Sequence, residues 1–311
     1  MTENRFYNKL IELVGEMKVK VQELLSKHTT FRIGGEADYF VTPSTVEEVK
    51  AVVALCKEEQ IPFYIIGNGS NLLFGDGGFR GVVIQLGSSF AEIQMNVEDN
   101  ADRVIVKAQS GVMLSKLAMT IAREGYAGFE YAAGIPGTLG GAVTMNAGAY
   151  GGEIKDHIIE AVVLDEEGNV ITLSKEELQL GYRTSIIQKK ELIVLEASFS
   201  FEKGDTDTIL TSIKDLNNRR KEKQPLEYPS AGSTFKRPEG HFAGKLIMDS
   251  GLRGYRVGNV CVSEKHCGFV INLGGGTAKD VMTLIEDVKR IVFEKYQVEL
   301  EPEVRIVGEF R

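Results

Sequence analysis

Cysteine and histidine are both scarce in this 311-residue chain, with three of the first and four of the second. Cys56, Cys261 and Cys267 are odd in number and fall at no metal or redox spacing, as in a reduced, cytoplasmic protein. His28, His157, His241 and His266 are as scattered, so no metal site is expected, and His157 and His266 read as structural or peripheral. Positive charge is in deficit too: 36 Lys and Arg face 44 Asp and Glu, a net charge of -8. That is the wrong sign for a general nucleic-acid partner. Met1 to Lys20 breaks its apolar residues with charges, so neither a signal peptide nor a membrane anchor is expected there. Internal repeats and low-complexity tails are absent. What remains, 43% hydrophobic and 26% charged residues, is the composition of a folded soluble protein of two or three compact units.

Helical and strand patterns alternate in an α+β order. Apolar residues at helical spacing predict a helix over Asn8 to Leu25. A strand is expected at Ala37–Val41, then a helix capped by Ser44, with Glu47 three residues on, running to about Glu59. Strands follow at 62–66, 82–85 and 103–107, then a helix from Leu114 to Glu124 stopped by Gly125. Further strands are expected at 162–164, 170–173 and 192–201. Lys203-Gly204-Asp205-Thr206 marks a boundary before a long polar helix, Asp207 to Lys223. The remainder predicts helices at 243–250 and 278–296, short strands at 260–262 and 268–272, and a closing strand at 300–307. The expected domains are 1–203, with subdomains of about 1–87 and 88–203, and 204–311.

Glycine is the residue in excess, and Tyr131 to Gly152 holds the densest run, at Gly134, Gly137, Gly140, Gly141, Gly148, Gly151 and Gly152. Such a stretch cannot build ordinary core. It offers bare backbone for close approach to something flat or phosphorylated. A second stretch, Gly67-Asn68-Gly69-Ser70-Asn71-Leu72, could hold a pyrophosphate on successive amides, and reads equally well as a hairpin turn. It lacks the third glycine of the dinucleotide fingerprint, and no Gly-Lys-Ser/Thr follows the longer run.

Three polar clusters could carry chemistry. Arg183, in Gly181-Tyr182-Arg183-Thr184-Ser185, reads alone as a surface residue. Ser233 sits between Gly232 and the cations Lys236 and Arg237, which could stabilise the alkoxide left when it gives up a proton; no Gly-x-Ser-x-Gly elbow supports hydrolysis. Glu303 and Arg305 would share a face of a strand, where a surface ion pair is the simpler reading. Lys and Arg concentrate from Arg219 to Lys245, as a diphosphate site needs and as a solvated helix face also provides.

Taken together, T-F-R-I-G-G, I-G-N-G-S-N-L-L, G-I-P-G-T-L-G-G-A-V-x-M-N-A-G-A-Y-G-G, G-Y-R-x-S, Y-P-S-A-G-S-x-F-K-R-P and L-E-P-E-V-R-I-V-G resemble the UDP-N-acetylenolpyruvoylglucosamine reductase family, in the family's order, from about Thr29 to Gly308. The resemblance implies an FAD-binding fold of the vanillyl-alcohol-oxidase and p-cresol-methylhydroxylase (PCMH) type, two α+β subdomains plus a C-terminal α+β substrate-binding domain. It implies non-covalent FAD, NADPH as co-substrate, and reduction of UDP-N-acetylglucosamine enolpyruvate to UDP-N-acetylmuramate in peptidoglycan precursor synthesis. Small molecules are then the partners, with no nucleic acid or membrane, and a cytoplasmic monomer is expected. Carried over by position, Arg183, Ser233 and Glu303 match the catalytic arginine, proton donor and glutamate. Gly67, Asn68, Gly69, Ser70, Asn71, Leu72, Gly134, Ile135, Gly137, Thr138, Gly140, Gly141 and Asn146 match the FAD contacts, with Tyr150 and Arg32 as further candidates. Lys223, Lys236, Arg237 and Tyr150 are the candidate substrate contacts, with Lys245, His266 and Phe269 behind them. No long insertion follows Arg183, so the chain resembles the shorter subtype, without the tyrosine lid loop. A flavin oxidase of the same fold, or a non-catalytic nucleotide-sugar binder, are the alternatives.

Overall fold

The computed structural model describes residues 2–97 and 102–310. Met1, which opens the charged N-terminal stretch and the first expected domain, and Arg311, which ends the second, lie outside them. The chain forms two compact units interleaved in sequence, rather than divided once near residue 203. The first comprises 1–20, 39–68 and 82–219, the second 21–38, 69–81 and 220–311.

In the first unit, α1 (Thr2–Val14) buries Phe6, Leu10 and Val14 four residues apart, on one helical face. The helix does not reach Leu25 as its spacing predicts. Gly15 takes φ 87°, outside any helix, and after a 3-10 turn the chain becomes β1 (Val19–Leu24). Met17, which continued the apolar spacing, is 95% exposed. Beyond β2 (Glu36–Val41), α2 (Val46–Glu58) is capped by Thr45, whose hydroxyl accepts from Glu48 N at 3.1 Å. The expected cap, Ser44, lies one residue outside, its own N–H bound to the Glu48 carboxylate at 2.7 Å.

Next come β3 (Phe63–Ile66), β4 (Leu72–Phe74) and β5 (Phe79–Gln85); β3 pairs with β5 in parallel, Phe63 opposite Val82. β3 and β5 belong to a sheet of order β1-β2-β5-β3, which β4 does not join. Since β3 and β4 are not partners, the Asn-Gly stretch between them is not a hairpin turn. Val49, Val52, Val53 and Cys56 of α2 share a core with Phe6, Leu10, Val82 and Ile84.

A second core in the same unit lies on an antiparallel sheet. Its strands are β6 (Ile93–Val97), β7 (Arg103–Gln109), β8 (Tyr126–Ala127), β11 (Ile158–Leu164), β12 (Val170–Ser174) and β13 (Ile193–Lys203), in the order β12-β11-β13-β7-β6 with β8 against β13. The helix α3 (Leu114–Arg123) packs Leu114, Leu117, Ala118 and Ile121 into it. The glycine run is not a plain loop. It forms a 3-10 turn at Glu130–Gly134 and then α4 (Leu139–Met145), which buries Leu139, Ala142 and Val143 at helical spacing. A ribbon of β9 (Gly148–Ala149) and β10 (Gly152–Glu153) follows, and after β12 the short α5 (Ile186–Lys189) precedes β13.

In the second unit α6 (Thr206–Lys223) ends, and β14 (Ser230–Ser233), α7 (Ala243–Asp249), β15 (Arg256–Val257), β16 (Val260–Val262), β17 (Phe269–Asn272), α8 (Ala278–Tyr296) and β18 (Arg305–Val307) follow. The sheet order is β14-β17-β16-β15. Val281, Leu284, Ile285, Val288 and Val292 of α8 make a stripe whose core also takes Phe31, Ile33 and Leu73. The early T-F-R-I-G-G and S-N-L-L motifs therefore belong with the C-terminal segment. Asp76 fixes this arrangement, its carboxylate accepting from Ala278 N at 2.8 Å and Lys279 N at 3.0 Å at the start of α8. The closing strand is shorter than expected, three residues paired in parallel with β4 in the register Arg305 opposite Leu72. Glu303 thus precedes it, with Val304 buried between them.

Among the described residues no helix is long and apolar enough to cross a membrane. No group of three or more His, Cys, Asp or Glu among them could hold a metal ion.

Candidate active site

The first unit brings parts of both glycine stretches together. A Cβ on Gly67 would meet Thr138 Oγ1 at 1.9 Å, so only glycine allows this approach. Gln85 Nε2 donates to Gly67 O at 3.0 Å, and Asn68 Nδ2 to Pro136 O at 2.6 Å. Gly134 closes the 3-10 turn, Ile135 packs half-buried on the core, and Gly137 O accepts from Leu114 N at 3.0 Å. Gly140 is tied to Ser110, its N–H on Ser110 O at 2.8 Å and its would-be Cβ 2.8 Å from Ser110 Cβ.

Gly141 is different. It sits inside α4 with nothing within 4 Å of a would-be Cβ, and its place in a helix costs about 1 kcal/mol relative to alanine. Packing does not require a glycine there, whereas a flat ligand on the backbone would. Ser110 Oγ, buried beside Gly140, has no hydrogen-bond partner among the described residues. Bare main chain and an orphaned hydroxyl together fit a flavin nucleotide.

In the second unit Gly69 takes φ 61°, with His28 O 2.2 Å from a would-be Cβ. Ser70 and Leu72 are half-buried around Asn71, and Arg32, which is exposed, has a positive φ of 55°. Asn71 Nδ2 donates to Glu303 O at 3.0 Å, and Asn71 O accepts from Arg305 N at 2.9 Å.

Arg183 lies on a tight turn in which Gly181 and Thr184 bond each other's main chain, at 3.0 and 3.3 Å. Its φ of 54° is a left-handed conformation costing about 1 to 2 kcal/mol for a residue with a Cβ. Side chains anchor this turn to α4. Ser185 Oγ and Gln188 Nε2 donate to Thr144 O at 2.6 and 2.7 Å, and Gln188 Nε2 also reaches Arg183 O at 3.2 Å. Asn146 Nδ2, from the left-handed cap of α4, donates to Gly181 O at 3.0 Å. The guanidinium lies 5.3 Å from the Tyr182 ring centroid and donates to Gly148 O at 3.3 Å. Glu153 is held ionised below the usual carboxylate range, first by the Lys155 ammonium at 2.7 Å, then by the Asn146 amide, with the Arg183 charge adding.

Ser233 and Glu303 are brought together by main chain. Glu303 N donates to Thr234 O at 2.8 Å, Phe235 bridges Pro302, and Lys236 N donates to Glu301 O at 2.8 Å. On the other side Ser233 pairs with Phe269, and Thr234 N donates to Gly268 O at 2.8 Å. Gly232 supplies the positive φ of 75° at the bulge before Ser233. Both side chains are half-buried, as suits groups that meet a ligand.

The candidate substrate contacts are spread more widely. Lys223 is exposed at the end of α6, and Tyr150 is exposed beyond α4. Lys236 pairs with Glu301, and Arg237 lies 4.0 Å from the Phe242 ring centroid. Lys245 pairs with Asp249 one turn along α7, at 2.8 Å. His266 packs edge-on against Phe269, and burial lowers its pKa. Sequence reasoning passed over Ser110, Glu153, Gln188 and Asp76, which support the candidate residues from outside the motifs. Glu153 directly follows the Ala-Tyr-Gly-Gly run, the one signal that could have drawn attention to it.

Residues 224–307 match the family described as UDP-N-acetylenolpyruvoylglucosamine reductase, C-terminal domain, and residues 37–174 match a FAD binding domain. UDP-N-acetylenolpyruvoylglucosamine reductase of Lachnoclostridium phytofermentans is 57% identical over 306 residues, covering 98% of each chain. The solved UDP-N-acetylenolpyruvylglucosamine reductase from Thermus caldophilus is similar over 93% of this chain and 99% of its own, at 35% identity and a TM-score of 0.78. p-Cresol methylhydroxylase shares the fold at 18% identity and a TM-score of 0.50, over 97% of this chain and 66% of its own. The fold class is the expected one, an α+β FAD-binding fold of the PCMH type with a further C-terminal domain.

Proposed function

The chain belongs to the UDP-N-acetylenolpyruvoylglucosamine reductase family and is an FAD-binding oxidoreductase, and we propose that it uses NADPH to reduce UDP-N-acetylglucosamine enolpyruvate to UDP-N-acetylmuramate. The reaction would serve peptidoglycan precursor synthesis in the cytoplasm. The observation that supports this reading most is identity of 57% along almost the whole of both chains.

Bound FAD supplies the two-electron relay between NADPH and the vinyl ether. Addition of hydride at the β-carbon of the enolpyruvyl group leaves a carbanion at the α-carbon, conjugated with the carboxylate. Arg183 offsets that charge through its paired N–H groups. Ser233 Oγ–H donates the proton that completes the α-carbon, giving the lactyl ether, and the cations Lys236 and Arg237, close to it in sequence, would stabilise the alkoxide. Glu303, held beside Thr234, orients the donor or stabilises the enol form. Asn68, Gly67 and the Pro136–Gly141 backbone would hold the cofactor in the first unit, and Gly69, Ser70 and Leu72 in the second. Lys223, Lys236, Arg237 and Tyr150 would contact the nucleotide-sugar.

The test is an anaerobic titration of the purified protein. A yellow protein that bleaches with NADPH and recovers its colour on adding UDP-N-acetylglucosamine enolpyruvate supports the proposal. Recovery with oxygen but not with the vinyl ether favours an oxidase, and failure to take up FAD rejects both.

A further inference from the structure

Two asparagines in the glycine stretches do something other than what their positions suggest. Asn146 is fully buried, and both hydrogens of its amide are committed within the protein, to Gly181 O at 3.0 Å and Glu153 Oε2 at 2.9 Å. Its Oδ1 accepts from Lys155 N at 2.9 Å, which fixes the orientation of the amide. Donating to a flavin would strand one of these acceptors, a loss of the order of 1 to 3 kcal/mol. The left-handed backbone at this position explains a glycine or asparagine. It does not explain three side-chain hydrogen bonds. Gly181 stands two residues before Arg183 in the turn that Gln188 also grips.

In the second unit Asn71 has the matching relation to Glu303. The Glu303 carbonyl takes the Asn71 amide while the Glu303 N–H takes Thr234 O, so its peptide groups are fixed on both sides. Each asparagine comes from a glycine stretch, and each reaches the main chain of a segment that carries a candidate catalytic side chain.

We propose that Asn146 and Asn71 are positioning residues rather than cofactor ligands, Asn146 setting the turn that presents Arg183 and Asn71 the peptide that presents Glu303. The inference rests on the roles proposed above for Arg183 and Glu303. Its consequence is a division of labour within each glycine stretch. Bare backbone and the glycines face the cofactor, while the asparagine amides face the protein and aim the chemistry.

The test compares Asn146→Gly, which keeps the left-handed backbone and deletes the amide, with Asn71→Ala, each as the FAD-loaded protein. FAD affinity, measured by fluorescence titration, should stay within about threefold of the parent, and so should bleaching by NADPH. Reoxidation by the vinyl ether at saturating FAD should slow by roughly ten- to a hundredfold, the cost of a small misplacement. A tenfold or greater loss of FAD affinity with normal reoxidation at saturation would make the asparagines cofactor ligands and overturn the proposal. Equal slowing of both half-reactions would overturn it in favour of a general packing role. Where Asn146→Gly does not fold, Gln188→Ala loosens the same turn from its other side and should give the same split; where Asn71→Ala does not fold, Asn71→Ser replaces it. If the parent protein itself is not reoxidised by the vinyl ether, the functional reading fails, while the FAD titration still decides whether the asparagines bind cofactor.

Discussion

The turn carrying Arg183 in the first unit and the segments carrying Ser233 and Glu303 in the second are held by different means. Around Arg183 the ties are side chains, from Asn146, Ser185 and Gln188, and the backbone they hold is strained. Around Ser233 and Glu303 the ties are chiefly main-chain bonds between neighbouring segments, with Asn71 as the side-chain addition. A ladder of main-chain bonds survives most substitutions. A turn pinned by side chains does not, so the aim of Arg183 can be altered by residues that never meet substrate.

Replacing Arg183 by glycine separates strain from chemistry most sharply. Glycine relieves the left-handed conformation but enlarges the freedom of the unfolded chain, and the two effects nearly offset. The thermal midpoint should therefore hold within a few degrees while reoxidation by the vinyl ether falls by about 10²- to 10³-fold. A collapse in stability would mean that the side chain, rather than the turn, holds this region together.

The anchor of that turn, α4, gives the next contrast. Gly140→Ala drives a methyl against Ser110 and should destabilise the protein by about 1 to 3 kcal/mol. Gly141→Ala meets open space and should stabilise the protein free of cofactor by up to about 1 kcal/mol, while weakening FAD retention. Chemical denaturation and FAD titration read the two effects separately. Unchanged FAD affinity in Gly141→Ala would move the cofactor away from α4.

The smallest effect lies on the ladder side, at His266 beside the Thr234–Gly268 bond. Burial lowers its pKa, so the folded chain keeps the ring neutral where the unfolded chain already binds a proton. Stability from this residue is complete above the ordinary histidine value and declines as pH falls from about 6.5 toward the folded pKa. Denaturation across that range should show a shallower acid decline in His266→Gln than in the parent protein. Identical slopes would remove His266 as a source of it.

The fold was largely legible wherever side chains alternate between core and solvent. The spacing of α3, α6 and α8 and the strands at 103–107 and 260–262 all form close to where they are expected. The first helix ran too long on paper because Met17, Val21 and Leu24 kept helical spacing without being buried, and Gly15 counted for less than it should. The helix inside the glycine run was hidden because its buried residues, Leu139, Ala142 and Val143, are interrupted by Gly140 and Gly141, of low helix propensity. The interleaving of the units was also out of reach, since nothing local tells Phe31, Ile33 and Leu73 that their core is built by α8. At the candidate site the motifs named the residues but not their hydrogen bonds; nothing in the sequence says that the Asn146 amide donates to Gly181 and Glu153.

The most direct test reduces Ser233→Ala with NADPH, removes oxygen, and follows a single turnover with UDP-N-acetylglucosamine enolpyruvate. The expected result is bleaching at the parent's rate and recovery of colour slowed by about 10²- to 10⁴-fold, because proton delivery enters with the second substrate. Recovery at the parent's rate would show that the proton comes from elsewhere and contradict the role given to Ser233.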